Sequence, residues 1–180
     1  MRVQSGNNLL QASLVFLLTL FASTAAMAID LVDTGGKPDR MHTIVGSDDW
    51  TLVMLWAHDC IPCERQKPMI EKYYRENRMR GLTVVGVSTD SKALRNKAKE
   101  TYGASKTSFT NYYFEGADFS SSYGKFTGRD FLGTPTYMVY DPNGQLRGTH
   151  TGTLNRDMLD RQFGPILKEP EFTPSVDLLR

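Results

Sequence analysis

The sequence predicts an α/β fold with a central mixed sheet and helices on both faces of the sheet. A continuous apolar run, TLVMLWA at 51–57, is typical of a strand that is buried on both sides, and the run LTVVGVS at 82–88 predicts a second buried strand. A segment with helical spacing follows each run, and strands that alternate with helices become parallel neighbours. Two more β-rich runs flank a Pro-Asn-Gly turn at 142–144, which predicts an antiparallel hairpin at one edge.

The first 28 residues have the pattern of a secretory signal peptide. Arg2 is the only charged residue in this segment, an apolar run occupies 14–22, and residues 26–28 form an A-x-A site. We expect cleavage after Ala28 and export to the periplasm. The alternative is an uncleaved membrane anchor over 9–28, which polar residues interrupt.

The remaining chain, 29–180, balances its charges. Of the 21 Lys and Arg residues only Arg2 lies in the leader, which leaves 20 positive side chains against 20 Asp and Glu. A balanced surface gives no electrostatic argument for nucleic acid or an anionic membrane as a partner. The length fits one ordinary domain with its own core, and we expect a monomer.

The elements follow in order along this chain. Gly-Gly and a proline at 33–40 predict a flexible lead-in. After the first strand, a helix covers about 60–80, and Gly81 ends it.

After the second strand, Asp90 or Ser91 caps a helix that continues through Tyr102 and stops at Gly103. The remaining predicted elements are a strand at 108–114, a short helix at 117–126, a loop at 127–133, the hairpin strands at 136–140 and 145–152, and a last helix at 154–167 that starts near Thr153 or Asn155. The tail at 169–180 holds two prolines, and we expect it to lie extended on the surface or loose.

The chain has two cysteines, Cys60 and Cys63, which lie between the first strand and its helix. A structural disulfide over so small a loop contributes little chain entropy. A zinc site needs about four ligands, and the histidines lack the paired spacing that would complete one; they are His42, His58 and His150. We therefore favour a reactive thiol pair.

The position of the pair favours that chemistry. The first turn of a helix has free backbone N–H groups and the positive end of the helix dipole, which favour a thiolate at Cys60. Cys63 lies one turn on and on the same face, so its sulfur can reach Cys60 and is expected to be less exposed. Pro62 is tolerated there because few N–H groups of the first turn have intrahelical partners.

The residues around the pair resemble the thioredoxin superfamily, and within it the extracytoplasmic thiol–disulfide oxidoreductases of the TlpA/ResA type. The resemblance covers about 42–168 and implies a thioredoxin-like fold there, between the lead-in at 29–41 and the tail at 169–180. The matching residues are Trp56-Ala57-x-x-Cys60-Ile61-Pro62-Cys63, Pro68, Gly133-Thr134-Pro135-Thr136, the turn DPNG at 141–144, and Gly152-Thr153.

The resemblance also assigns roles to residues. It implies a cis bond before Pro135, beside the disulfide, and backbone hydrogen bonds from Thr134 to an extended substrate; the alternative for Pro135 is an ordinary strand-start proline. It assigns catalysis to Cys60 and Cys63 and implies no metal or other cofactor. Supporting or substrate-binding roles fall to four more residues, namely Trp56, Ile61, Pro62 and Gln66. The expected partners are disulfide-bearing exported proteins and a membrane thiol reductase.

Two acidic positions of the family are not acidic here. Thioredoxin has a buried Asp where this chain has Met54, and ResA-like reductases often have Glu where it has Gln66. Such carboxylates help to move the proton of the buried thiol, whereas Gln cannot titrate. The proton acceptor for Cys63 is therefore open among water and three acids whose alternative role is at the solvated surface: Glu64, Glu115 and Asp118.

The charges near the first cysteine partly cancel. Asp59 is a candidate helix cap and, with Glu64, opposes a thiolate there. Arg65 and Lys67 favour it, and His58 does so only when protonated. A thiol that is not strongly acidified makes a more reducing pair, so we expect a reductant.

Other functions fit parts of the pattern. Two thiols and His150 are soft ligands for Cu(I), as in Sco-type copper chaperones, although those have CxxxC. A disulfide oxidant would use the same cysteines in the opposite direction. A peroxiredoxin needs a threonine where this chain has Ala57, and a noncatalytic binding module gives no reason for an intact CxxC.

Overall fold

Seven strands within residues 28–169, the part of the chain that the computed structural model describes, form a single mixed sheet. The strands are β1 (Asp30–Asp33), β2 (Pro38–Arg40), β3 (Trp50–Trp56), β4 (Leu82–Ser88), β5 (Thr110–Phe114), β6 (Thr136–Tyr140) and β7 (Leu146–Thr151). The helices are α1 (Met41–Ile44), α2 (Ile61–Asn77), α3 (Arg95–Ala104), α4 (Phe119–Thr127) and α5 (Arg156–Phe163), with 3-10 turns at Arg78–Arg80 and Lys92–Leu94. No helix in this range is both long enough and apolar enough to cross a membrane. The predictions made for 1–27 and 170–180 lie outside the described residues.

The parallel strands lie at the centre of the sheet, whose order is β2-β1-β5-β4-β3-β6-β7. Strand β4 is parallel to both β3 and β5, and helices α2 and α3 make the crossovers that parallel neighbours require. Antiparallel strands continue the sheet on both sides, with β6 and β7 beyond β3 and with β1 and β2 beyond β5. The predictions of a mixed sheet and of an edge hairpin around 142–144 are confirmed.

Strand β3 is buried on both faces, as its unbroken apolar run predicts. Leu52, Met54 and Trp56 belong to one core, whereas Val53 and Leu55 belong to a second core on the other face of the sheet. Helices α2, α3 and α5 contribute to the first core, and α1 and α4 contribute to the second. Both cysteines belong to the first core, so the sheet fixes the helix that carries them.

The segment at 33–40 is not a flexible lead-in, and that prediction is wrong. Strands β1 and β2 form a hairpin across it, and β1 also pairs with β5. The Asp33 carboxylate accepts a hydrogen bond from the Lys37 N–H at 2.8 Å, and Gly36 takes the positive φ of 88° that the turn requires. Leu31 is 1% exposed, so strand β1 of this hairpin is part of the hydrophobic core.

Two helices have boundaries that differ from the predicted ones. Helix α3 starts at Arg95 rather than directly after Asp90 or Ser91, because a 3-10 turn comes first and neither side chain caps it. Helix α5 is shorter than predicted at both ends. Asn155 caps it, as one of the two predicted caps, by accepting a hydrogen bond from the Met158 N–H at 2.9 Å.

Candidate active site

Cys60 and Cys63 form a disulfide at the amino end of α2. Their Cα atoms are 5.2 Å apart, and the Sγ of Cys60 accepts a hydrogen bond from the backbone N–H of Cys63 at 3.2 Å. Cys60 is 8% exposed and Cys63 is 0% exposed. The sequence predicts this order, with Cys63 as the less exposed of the two. The first sulfur is therefore the one that another molecule reaches, and the second lies beneath it.

The turn between β3 and α2 sets this geometry. The Cys60 N–H donates to the carbonyl of Ala57 at 3.2 Å, and the Glu64 N–H donates to the carbonyl of Cys60 at 3.2 Å. Pro62 lies in the first turn of the helix, where the N–H that it lacks has no intrahelical partner. Asp59 is not the helix cap, contrary to the prediction, because Cys60 occupies that position with its own sulfur.

The Thr-Pro motif lies at the same edge of the sheet as the disulfide. Strands β3 and β6 are antiparallel with Leu55 opposite Thr136, so the end of β3 meets the start of β6. The Thr134–Pro135 peptide bond is cis, as the resemblance implies. The carbonyl of Pro135 accepts a hydrogen bond from the Gly152 N–H at 2.8 Å, which ties the motif to the end of β7.

Two large apolar side chains near these motifs are open to solvent. Ile61 directly follows Cys60 and is 63% exposed, and Leu132, two residues before Thr134, is 78% exposed. An exposed apolar side chain beside each motif is a candidate contact for another molecule. The sequence prediction includes Ile61 but not Leu132, since a single Leu in a loop has no periodicity that signals its exposure.

Trp56 and Gln66 tie the cysteine-bearing segment to the rest of the fold. Trp56 is 1% exposed and donates from Nε1 to Oδ1 of Asn111 at 2.8 Å. The Oε1 of Gln66 accepts hydrogen bonds from the Leu154 N–H at 2.7 Å and from the Tyr137 hydroxyl at 3.1 Å. Gln66 therefore holds α2 against β6 and against the chain that enters α5, and it has no titratable proton.

The three acids predicted as candidate proton acceptors each have another partner. The Oε1 of Glu64 accepts a hydrogen bond from the Lys67 ammonium at 2.6 Å. Glu115 pairs with basic side chains near the start of α3, and Asp118 caps α4. Met54, at the position where thioredoxin is acidic, is 0% exposed. Of the three acids, only Glu64 belongs to the helix that carries the cysteines.

A histidine–aspartate pair precedes the disulfide, and the sequence prediction missed it. The Nδ1 of His58 lies 2.6 Å from Oδ1 of Asp90, while Oδ2 accepts hydrogen bonds from the His58 N–H at 2.9 Å and the Ser88 hydroxyl at 2.7 Å. A signal was present in the sequence. Strands β3 and β4 run in register with Trp56 opposite Ser88, so the residues two positions beyond each strand meet at one edge.

Lys67 is the second feature that the pattern did not reveal. Its side chain is 3% exposed, and its Nζ lies 4.1 Å from the centroid of the Trp56 ring. Burial lowers the pKa of Lys67 and the Glu64 carboxylate raises it, with a net value below the usual one. Lysines on the apolar side of a helix ordinarily extend to solvent, so the sequence gives no sign of this burial.

No group of three or more His, Cys, Asp or Glu side chains is placed to hold a metal ion in the described range 28–169. His150, the predicted third ligand in the copper alternative, lies in β7 opposite Tyr137. Its Nε2 is 3.4 Å from the carbonyl oxygen of Thr153. The three-ligand set of that alternative is not assembled among these residues.

Comparisons with known proteins agree with this geometry. A family model described as the AhpC/TSA family matches residues 22–149. The thiol-disulfide oxidoreductase ResA of Halalkalibacterium halodurans is 24% identical over 148 residues, which cover 82% of this chain and 77% of that protein. The thioredoxin domain of a thiol-disulfide oxidoreductase from Bacteroides vulgatus superimposes with a TM-score of 0.64 at 22% identity, over 79% of this chain and 95% of that one. A secreted disulfide oxidoreductase from Mycobacterium tuberculosis gives a TM-score of 0.59 at 14% identity, over 80% and 100% of the two chains. The structural likenesses establish the thioredoxin-like fold that the resemblance implies.

Proposed function

The chain belongs to the AhpC/TSA family and is a thiol–disulfide oxidoreductase, and on that premise we propose that it reduces disulfides of exported proteins outside the cytoplasm. The observation that carries this proposal is the arrangement of the two sulfurs. Cys60 caps α2 and is the more exposed of the two cysteines, and Cys63 lies bonded beneath it. A pair of this kind can accept a partner's disulfide at the first sulfur and release the partner with the second.

Reduction proceeds by two exchanges between sulfurs. In the first, the thiolate of Cys60 attacks one sulfur of the partner's disulfide; that disulfide breaks, its other sulfur leaves as a thiolate, and a mixed disulfide forms. In the second, Cys63 loses its proton and attacks the Cys60 sulfur; the Cys60–Cys63 bond forms and the partner leaves with its second thiolate. Two electrons pass to the partner, and each leaving thiolate takes up a proton.

The partner's chain is proposed to dock along the edge that holds Thr134 and Pro135. An extended segment there would add main-chain hydrogen bonds to the start of β6, in the manner of an added strand. Ile61 and Leu132 are exposed near the two motifs and supply apolar contacts. This mode of binding needs an unfolded or mobile segment around the partner's disulfide.

The charges around Cys60 support a reductant. Glu64 lies in the first turn of α2, where its negative charge competes with a thiolate for the positive end of the helix dipole. Of the bases near Cys60, Lys67 is paired with Glu64 and His58 with Asp90, while Arg65 is exposed, where water screens its charge. A thiolate that gains little from its surroundings leaves the disulfide comparatively stable, and such pairs are reducing.

Equilibration of the pair with glutathione redox buffers tests the direction of electron flow. We expect a reduction potential near that of thioredoxin, about −270 mV. The fractions of oxidised and reduced protein at each buffer ratio give the value. A potential near that of a strong periplasmic oxidant, about −120 mV, would contradict a reducing role and leave the oxidoreductase assignment intact.

The periplasm is the proposed place of action, reached through a signal peptide that ends at Ala28. The apolar run and the A-x-A site support export, and one of the structurally similar proteins is described as secreted. An oxidising compartment would leave the pair oxidised, so a membrane thiol reductase is the proposed electron donor. Sequencing the amino terminus of the protein from a periplasmic extract should give Ile29; a retained leader would contradict this processing.

A further inference from the structure

Lys67 is a buried lysine on the same helical stripe as the second cysteine. The buried residues of α2 include Cys63, Lys67 and Ile70, which are spaced i, i+4 and i+7 and therefore lie on one face. Side chains four residues apart on a helix are neighbours, with Cβ atoms about 5–6 Å apart. A lysine is rarely buried unless a partner holds its charge, so this one needs a physical account.

Two partners fix the ammonium of Lys67 in place. Its Nζ donates to Oε1 of Glu64 at 2.6 Å and lies 4.1 Å from the centroid of the Trp56 ring. The ring is itself held by the hydrogen bond to Asn111. The Glu64 side chain is 40% exposed, so water screens its charge more than it screens the buried ammonium. The pairing with Glu64 therefore leaves part of the ammonium's charge to act on groups of the buried stripe.

The other ionisable groups that line this part of the fold, within residues 28–169, are paired, neutral or exposed. Glu71 binds Ser108 through both of its oxygens; burial would raise the pKa of Glu71, but these hydrogen bonds and Arg75 hold it below its usual range. Tyr137 of β6 is neutral, because burial raises the pKa of its hydroxyl. The turn before α2 contributes the pair of His58 and Asp90. A cleft lies between the outer side of α2 and residues 104–107, and its exposed charged side chains are Lys72, Arg75, Glu76 and Lys106.

We propose that Lys67 is a positioning residue in the exchange reaction, whose ammonium stabilises the thiolate of Cys63 while that sulfur attacks Cys60. The inference rests on the proposed function, in which Cys63 performs the second exchange. In that step the Cys63 S–H bond breaks and the proton leaves to solvent. The Cys60–Cys63 bond then forms as the partner's sulfur leaves, and Lys67 keeps its proton throughout. Met54 and Gln66 stand where related proteins have acidic side chains that move the proton of the buried thiol. Lys67 assists the same thiol in this chain, but through its charge and not by proton transfer.

Titration of Cys63 alone tests this role. In the Cys60→Ser background Cys63 is the single thiol, and its thiolate absorbance in the ultraviolet is followed against pH. Adding Lys67→Met should raise the titration midpoint by about one pH unit, a tenfold loss of thiolate at a given pH. Adding Glu64→Gln should lower the midpoint, because the ammonium then acts on the sulfur without its counter-charge. Lys72→Met, which removes an equal charge from the exposed side of α2, should leave it unchanged.

The opposite signs of the two shifts separate a charge effect from a packing effect. Midpoints that stay unchanged, or that move in the same direction in both variants, would overturn the proposal. If Lys67→Met does not fold, Lys67→Gln, which keeps a polar end group beside Glu64, is titrated in its place, and a midpoint that is not raised overturns the inference. The titration reads the sulfur directly and does not depend on any partner. Insulin reduction by the wild-type protein tests the proposed function separately.

Discussion

Cys60→Ser is expected to reduce the rate of insulin reduction by about a thousandfold or more, because it removes the nucleophile. The chain has only one other cysteine, and Cys63 is 0% exposed, so it cannot meet a partner's disulfide in its place. The hydroxyl of serine can still cap α2, so the fold should remain. The rate at which reduced insulin precipitates, with dithiothreitol as electron donor, measures the effect.

Cys63→Ser is the matched control for this prediction. It keeps the more exposed sulfur, Cys60, and removes the second exchange, so partners should remain attached to Cys60 as mixed disulfides. The adduct is seen as an increase in mass that dithiothreitol reverses, and the same variant captures physiological partners for identification. Adducts on Cys60→Ser rather than on Cys63→Ser would show that the order of attack is the reverse of the one proposed.

The second large effect is expected on stability, from a methyl group added at Gly86. Gly86 lies in β4 between Met54 and Asn111, and a Cβ there would come within 2.5 Å of Oδ1 of Asn111 and 3.4 Å of Nε1 of Trp56. Those two atoms form the hydrogen bond that holds the Trp56 ring, and Asn111 is 1% exposed, with little room to move. We expect Gly86→Ala to lower the free energy of unfolding by about 3 kcal/mol, from overpacking and a disturbed buried hydrogen bond.

Urea unfolding of the oxidised protein, followed by tryptophan fluorescence, measures this change. Gly148→Ala is the control, because Gly148 also lies in a strand but an added Cβ there meets no atom within 4 Å. Its free energy of unfolding should stay close to that of the wild type. Equal values for the two variants would mean that Asn111 and Trp56 adjust without cost.

A strand could be predicted where its own residues show that it is buried. Strand β3 has a continuous apolar run and strand β4 is mainly apolar, because both faces of each strand are covered, and the pattern is visible without knowledge of their neighbours. Strand β1 is four residues long, with Leu31 and Val32 as its apolar members, and it is buried through pairing with β5 far along the chain. The Gly-Gly turn that follows has the same composition in a hairpin as in a loose segment.

The same distinction holds within the site. The two cysteines and Pro135 belong to motifs with recognisable spacing, so their place in the site could be predicted from the sequence. The burial of Lys67 depends on the position of the Trp56 ring, which no local pattern encodes. The pair of His58 and Asp90 is intermediate, because the register of two parallel strands predicts their meeting once both strands are recognised.

The burial of Ile29 bears on how the protein matures. Ile29 directly follows the predicted cleavage position, is 0% exposed, and accepts a hydrogen bond at its carbonyl from the Met41 N–H at 3.0 Å. A peptidase needs an accessible, extended stretch on both sides of the bond that it cuts. If the leader is removed after Ala28, the cut has to come before β1 docks against β5. Leader removal would then precede folding of the first strand. The chain would have to leave the translocation machinery with β1 still unpaired.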